Sequence, residues 1–181
     1  MKKIFIAIVY FATTINTVYS QIGKPFPELK GITLEDKNMI LPTDTKGKFT
    51  LLGLAYSKAA ESDLQSWYQP IYTTFIEKNK PSLFNDTYDV HLYFIPMFTG
   101  INQSASETAR KKMKEGFDKE LAKHVLVYKG ELKVYKEQLD FEKKDTPYFF
   151  VLDKSGNIIH AISGKYSEEK LSKIEELISE Q

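Results

Sequence analysis

The segment LLGLAYSKAAESDLQSW, residues 51–67, is an apolar run that breaks at Tyr56-Ser57-Lys58 and continues with apolar positions three or four residues apart. That pattern predicts a strand feeding a helix through a short exposed turn. A turn at a helix N-terminus suits nucleophilic chemistry, because the helix dipole stabilises an anion such as a thiolate there. Here the turn offers Ala59, Ala60, Glu61 and Ser62, and the chain contains no cysteine. Thiol-disulfide exchange, thiol peroxidase chemistry and thiolate metal binding are therefore excluded. Ser57 and Ser62 remain as hydroxyls, but serine attacks only with the help of a neighbouring base. The three histidines, His91, His124 and His160, lie in or beside predicted strands, with no spacing that brings one to the turn. Ser57 or Ser62 is read instead as a helix cap, and Glu61 as a carboxylate placed at the positive end of the dipole. The histidines also lack the paired spacing and nearby carboxylates of a metal site. No metal, no cofactor and no catalytic residue is expected.

The elements that hold this turn belong to a chain of 181 residues, 42% hydrophobic and 13% aromatic, a composition for one globular domain with a sizeable core. Residues 1–20 stand apart. Lys2 and Lys3 precede the apolar run Ile4 to Ala12, and Val18 and Ser20 occupy the positions a signal peptidase reads. This is the pattern of a secretory signal peptide cut between Ser20 and Gln21, leaving 21–181 as the domain. The apolar run is about half the roughly 20 residues a membrane span requires, and a lipid anchor through cysteine is excluded. Without Lys2 and Lys3, the 25 Lys and Arg fall to 23 against 24 Asp and Glu. That balance, with Arg110 as the sole arginine, argues against nucleic acid. The basic run Arg110 to Lys114 is read as a solvated helix face. The localisation expected is the periplasm or the exterior, and with no disulfide available the fold must rest on its core alone.

Along the chain, ITLEDKNMILP reads as a small hairpin, and Phe49 to Leu54 as a strand buried on both faces. Leu64, Trp67, Ile71 and Phe75 mark one helix face, with Pro70 expected to bend that helix rather than end it. Val90 to Ile95 is the next buried strand. Ser104 and Glu107 have capping-box spacing, and Ala109, Met113, Phe117 and Leu121 predict a helix from about 105 to 122. HVLVY is a third strand, Glu131 to Leu139 a short helix, and PYFFVL a fourth strand. The turn Asp153 to Gly156 makes NIIHAI its antiparallel partner. A last helix is capped by Ser167, with Leu171, Ile174, Leu177 and Ile178 on one face. Helices alternating with buried strands predict an α/β fold, a central mixed sheet covered on both sides.

Two motifs carry a resemblance to a known family: the strand-turn-helix of residues 51–67, and TPYFFVLDKSGNII. Together with GKPFPELKGITLEDKNMILP they resemble the thioredoxin-like superfamily, in its extracytoplasmic cytochrome-maturation and peroxiredoxin-related branch, over about residues 22–180. The run LLGLAYSKAAESDLQSWYQPI also resembles the thioredoxin-like assembly factors of the mitochondrial ATP synthase, which likewise dispense with thiols. The resemblance implies a thioredoxin-like fold with an N-terminal hairpin and a C-terminal helix. It places Ala59 and Ser62 where the two active-site cysteines would stand, and it implies a cis bond at Thr146-Pro147 facing the turn.

On this reading the chain binds rather than reacts. The expected site is a groove formed by Tyr56, Ala59, Ala60, Glu61 and Ser62 on one side and Thr146, Pro147 and Tyr148 on the other. It would hold a protein or extended peptide through main-chain hydrogen bonds, with Tyr56, Tyr68 or Tyr148 as aromatic anchors. One alternative is an accessory role in a thiol-disulfide or peroxiredoxin-type redox system. Another puts the partner surface on the insertion 97–122 and its loop FTGINQSAS.

Overall fold

The computed structural model describes residues 21–77 and 88–179, so the proposed signal segment 1–20 lies outside the described residues. Two strands, β1 (Leu29–Thr33) and β2 (Asn38–Leu41), form the expected hairpin, turning at Asp36 with φ 67°. The buried strand β3 (Phe49–Ala55) leads into helices α1 (Lys58–Gln65) and α2 (Tyr68–Ile71), which continue as a π-helical stretch Tyr72–Glu77. Strand β4 (Val90–Thr99) is followed by a 3-10 stretch Gly100–Ala105 and by helices α3 (Ser106–Gly116) and α4 (Lys119–Ala122). Strand β5 (Leu126–Gly130), helix α5 (Lys133–Leu139), strands β6 (Tyr148–Leu152) and β7 (Ile158–Ser163) and helix α6 (Glu168–Ser179) complete the order.

The seven strands make one mixed sheet in the order β2-β1-β5-β4-β3-β6-β7. β3, β4 and β5 are parallel neighbours, and the strands at both edges are antiparallel. Because alternate strand residues face opposite sides, β3 divides its apolar run between two cores. Leu52 and Leu54 pack with Phe26, Phe150 and Tyr135. Leu51 and Ala55 pack with Leu64, Trp67, Ile71 and Ile174 from the helices on the other face. Gly53 lies between them because nothing larger fits: a Cβ there would stand 2.7 Å from Phe149 and 2.9 Å from Leu64. Trp67 is fully buried against Phe149, at 4.3 Å between rings, and its Nε1 donates to the Gly164 carbonyl at 3.0 Å.

Two helices are divided where the periodicity predicted continuity. The helix expected to bend at Pro70 breaks at Ser66-Trp67, because the proline ring excludes the carbonyl four residues earlier, that of Ser66. The helix expected over 105–122 breaks at Phe117, whose backbone is extended (ψ 148°), and Asp118 caps the new start by accepting from the Glu120 and Leu121 N–H groups. Ser104 does not cap: its hydroxyl donates to the Ile101 carbonyl at 3.4 Å, inside the 3-10 stretch that displaces the helix start. Ser167 does cap α6, accepting from the Lys170 N–H at 3.4 Å.

Candidate functional site

The turn between β3 and α1 is fixed by Ser57. Its backbone is extended (φ −145°, ψ 162°), its Oγ accepts from the Ala60 N–H at 3.1 Å, and its hydroxyl donates to Asp145 Oδ1 at 2.9 Å. Ser57, not Ser62, is therefore the cap, and it also ties the turn to the loop before β6. Ala59 and Ser62, the positions matched to the missing cysteines, are exposed. Ala60, at N3, points into the core and is fully buried against the cluster of Leu64 and Trp67. Glu61 is half-buried in the first turn of the helix. Burial pushes its carboxyl upward and outweighs the opposing charge of Lys58.

The groove expected between this turn and Thr146 to Tyr148 is filled by the protein's own rings. Tyr56 stacks on Phe141 with centroids 5.5 Å apart, and Phe141 stacks on Tyr148 at 4.5 Å. All three are less than a tenth exposed. The Tyr148 hydroxyl accepts from the Lys143 N–H at 2.7 Å and donates to the Lys143 carbonyl at 3.1 Å. Burial pushes the Tyr56 phenol up to about 12, followed by the influence of Tyr148 and Asp145. Tyr56, Ala60 and Tyr148 are therefore core side chains rather than surface anchors, a correction that follows from how apolar area is removed from water here. Pro147 is buried as well, and its bond to Thr146 is not cis: the one cis X-Pro bond among the described residues is Leu41-Pro42. Pro147 instead leads straight into β6, its carbonyl accepting from the Gly164 N–H at 2.9 Å, a strand-start position that proline tolerates in the trans form. Thr146 is half-buried. Tyr68 is no anchor either, since its ring lies 4.3 Å from Phe94 and 5.7 Å from Phe117.

On its other side the turn opens. A cleft of about 280 Å³ runs between Ser57, Lys58 and Glu61 on the turn and the insertion that follows β4, with Met97, Ala109 and Met113 among its walls. The turn and the insertion, predicted as alternative binding surfaces, are thus the two sides of one cleft. Its lining is mostly apolar with a few polar groups, Ser57, Lys58 and Glu61 on the turn and Asn102 on the insertion, the common character of a binding site. No sequence signal joined Met97 or Ala109 to Glu61, because nothing local in a chain states which residues a parallel crossover brings together. A larger cavity, about 380 Å³, lies under the outer hairpin, between Ile32, Ile40 and Val127 and the first turns of α3. Arg110 lies in its wall, bonded to Asp36 and, at 2.9 Å, to Glu107. Its side chain is only 13% exposed, so within 110–114 the solvated-face reading holds for Lys111, Lys112 and Lys114, which are exposed, and is corrected at Arg110, which clamps α3 to the hairpin turn.

The histidines stay apart. His124 Nδ1 is 3.1 Å from the Leu92 carbonyl, and burial lowers the basicity of all three. Among the described residues no group of three or more His, Asp or Glu is placed to hold a metal ion. No helix among them is long and apolar enough to cross a membrane.

No protein-family model matches the sequence, and no curated protein matches it. The fold has many counterparts among solved structures. The thioredoxin domain of a thiol-disulfide oxidoreductase from Bacteroides vulgatus superposes with a TM-score of 0.58 at 17% identity, covering 87% of this chain and 98% of that one. A thiol:disulfide interchange protein from a Bacteroides species gives 0.56 at 17% identity, covering 88% and 91%. A 2-Cys peroxiredoxin from Plasmodium vivax gives 0.52 at 11% identity, covering 86% and 80%. Identities this low establish architecture and not activity. With its seven-stranded mixed sheet and its strand-turn-helix at residues 49–65, the chain has a thioredoxin-like fold, and it has that fold without a single cysteine.

Proposed function

We propose that this is an exported, redox-inactive thioredoxin-fold protein that works by binding a segment of another protein. The observation that carries the reading is the cleft of about 280 Å³ beside a turn that has lost its nucleophile. Ala59 and Ser62, exposed on the turn's outer edge, stand outside the lining of the cleft. Met97 and Met113 supply adaptable thioether walls for an apolar side chain. Lys58 and Glu61 line the turn's side of it, where charged groups fix orientation. The side toward Thr146 and Tyr148 is filled by the Tyr56-Phe141-Tyr148 stack, of which Tyr56 also borders the cleft. Export rests on the signal pattern of residues 1–20, with removal after Ser20.

The test is affinity capture from cell-envelope extract with tagged 21–181, beside Ala109→Trp, which fills the cleft, and Ser62→Arg, which alters the turn's exposed edge. Both variants are first verified as folded by circular dichroism. A protein recovered by the wild type and by Ser62→Arg but lost with Ala109→Trp supports the cleft. Equal recovery by all three removes the function from this site. Catalytic reduction of a disulfide or consumption of peroxide by the purified protein would overturn the reading altogether.

A further inference from the structure

The outer hairpin is fastened to α3 at its turn, where Asp36 takes the Arg110 guanidinium and, at 2.6 Å, the Lys114 ammonium. Toward its other end, the cavity of about 380 Å³ separates the sheet from the first turns of α3. Strand register sets the floor of that cavity. Ile32 pairs with Asn38 on one side and Val127 on the other, and Lys30 pairs with Ile40, so these residues share one face of the sheet. One step further along the register that sets Gly31 opposite Tyr128, Lys30 comes opposite Lys129, and both lysines line the cavity. Val127 is buried, whereas Ile32 and Ile40 are only half-buried.

Two features of this cavity are unfavourable while it stands open. Apolar area of Ile32 and Ile40 stays in contact with water, and two like charges set opposite each other on paired strands repel. The neighbouring carboxylates are engaged elsewhere. Glu107, the acid in the lining, is held by Arg110 at 2.9 Å, Asp36 serves Arg110 and Lys114, and Glu28 meets Lys30 in an exposed pair at 3.0 Å. Glu131, two residues beyond Lys129, accepts from Gln103 Nε2 at 3.0 Å. Lys129 has no ion pair among the described residues. One cation is thus left over beside an apolar floor. We propose that this cavity binds a small amphipathic carboxylate of the medium-chain fatty acid class. Its apolar chain lies along Ile32, Ile40 and Val127, and its carboxylate lies between Lys30 and Lys129. The volume is at the small end of the roughly 300–1,000 Å³ that small-molecule sites occupy. The site is separate from the cleft and does not rest on partner binding: Ala105, Ala109 and Met113 of the insertion face the cleft, while Ser106, Glu107 and Arg110 wall the cavity.

The test is isothermal titration calorimetry of the purified full-length protein with sodium octanoate at neutral pH, with octanol as the uncharged control. It is repeated on Lys129→Glu, which reverses the unpaired charge, and on Ile40→Trp, which fills the floor, after circular dichroism has verified both folds. Octanoate is expected to bind saturably and more tightly than octanol. Lys129→Glu should weaken it about tenfold or more, the scale of a hydrogen bond to a charged group, and Ile40→Trp should abolish it. No saturable binding by the wild type overturns the proposal, as does octanol binding as tightly as octanoate. Unchanged affinity in Lys129→Glu overturns it too, and that variant, at an exposed position, decides alone if Ile40→Trp does not fold. Unchanged affinity in a folded Ile40→Trp places the ligand elsewhere and overturns the site. A short peptide ending in a leucine carboxylate that binds more tightly than octanoate would overturn the assignment to a small molecule.

Discussion

The two sides of the turn at residues 57–62 differ in what fills them. Toward β6 the space holds three stacked rings, Tyr56, Phe141 and Tyr148, and the Ser57-Asp145 hydrogen bond spans the outside. Toward α3 it holds an open cleft with the half-buried Glu61 carboxyl in its lining. One side has exchanged a surface for stability, and the other keeps a surface that stability does not require.

The largest expected effect lies on the closed side. Phe141→Ala removes the middle ring of the stack and should cost about 3–5 kcal/mol in urea unfolding, the range for buried aromatic truncations. A loss under 1 kcal/mol would mean that the stack does not hold the turn. Gly53→Ala, beneath both sides, forces a methyl group against Phe149 and Leu64 and should cost about 1–3 kcal/mol. Ser57→Ala removes the cap and the tie to Asp145, with an expected loss of about 1 kcal/mol, and Asp145→Ala should recover only part of that.

On the open side the expected effects are smaller and of a different kind. Burial raises the Glu61 carboxyl in the folded state from its ordinary 4.5, so the folded protein holds that proton longer than the unfolded chain does. The sign follows: below 4.5 both states are protonated and nothing is lost, and stability falls as pH rises through the window between 4.5 and the folded value. Glu61→Gln should therefore melt at a higher temperature than the wild type at neutral pH and at the same temperature in acid. A higher wild-type melting temperature at neutral pH would mean that the helix dipole outweighs burial. Ala109→Trp should change stability least, by about 0.5 kcal/mol or less, while abolishing partner capture.

Much of the scaffold was legible in local pattern. The continuous apolar run of β3, the spacing of Leu64, Trp67, Ile71 and Phe75, and the Asp153 to Gly156 turn each state their structure within a few residues, since strand and helix periods and turn chemistry are local properties. Breaks were less legible. Pro70 announced a disturbance, but the residue it displaced lies one turn upstream, and Phe117 gave no sign that its backbone would leave the helix. The site was legible only in part. Ser57, Ala59 and Ser62 stand where the sequence placed them, yet Tyr148 and Pro147 read as surface and are core.

The sequence by itself determined that this chain offers no thiol, because a missing atom needs no structure to be missing. It also determined the order of strands and helices, through periodicities that each segment carries alone. Only the tertiary structure decided which side of the turn is open. That depended on Phe141, 85 residues beyond Tyr56 in the chain, entering between two tyrosines, and on the crossover from β4 bringing Ala109 and Met113 opposite Glu61. Such pairings arise from how whole elements pack once their apolar faces are buried, and no run of neighbouring residues encodes them.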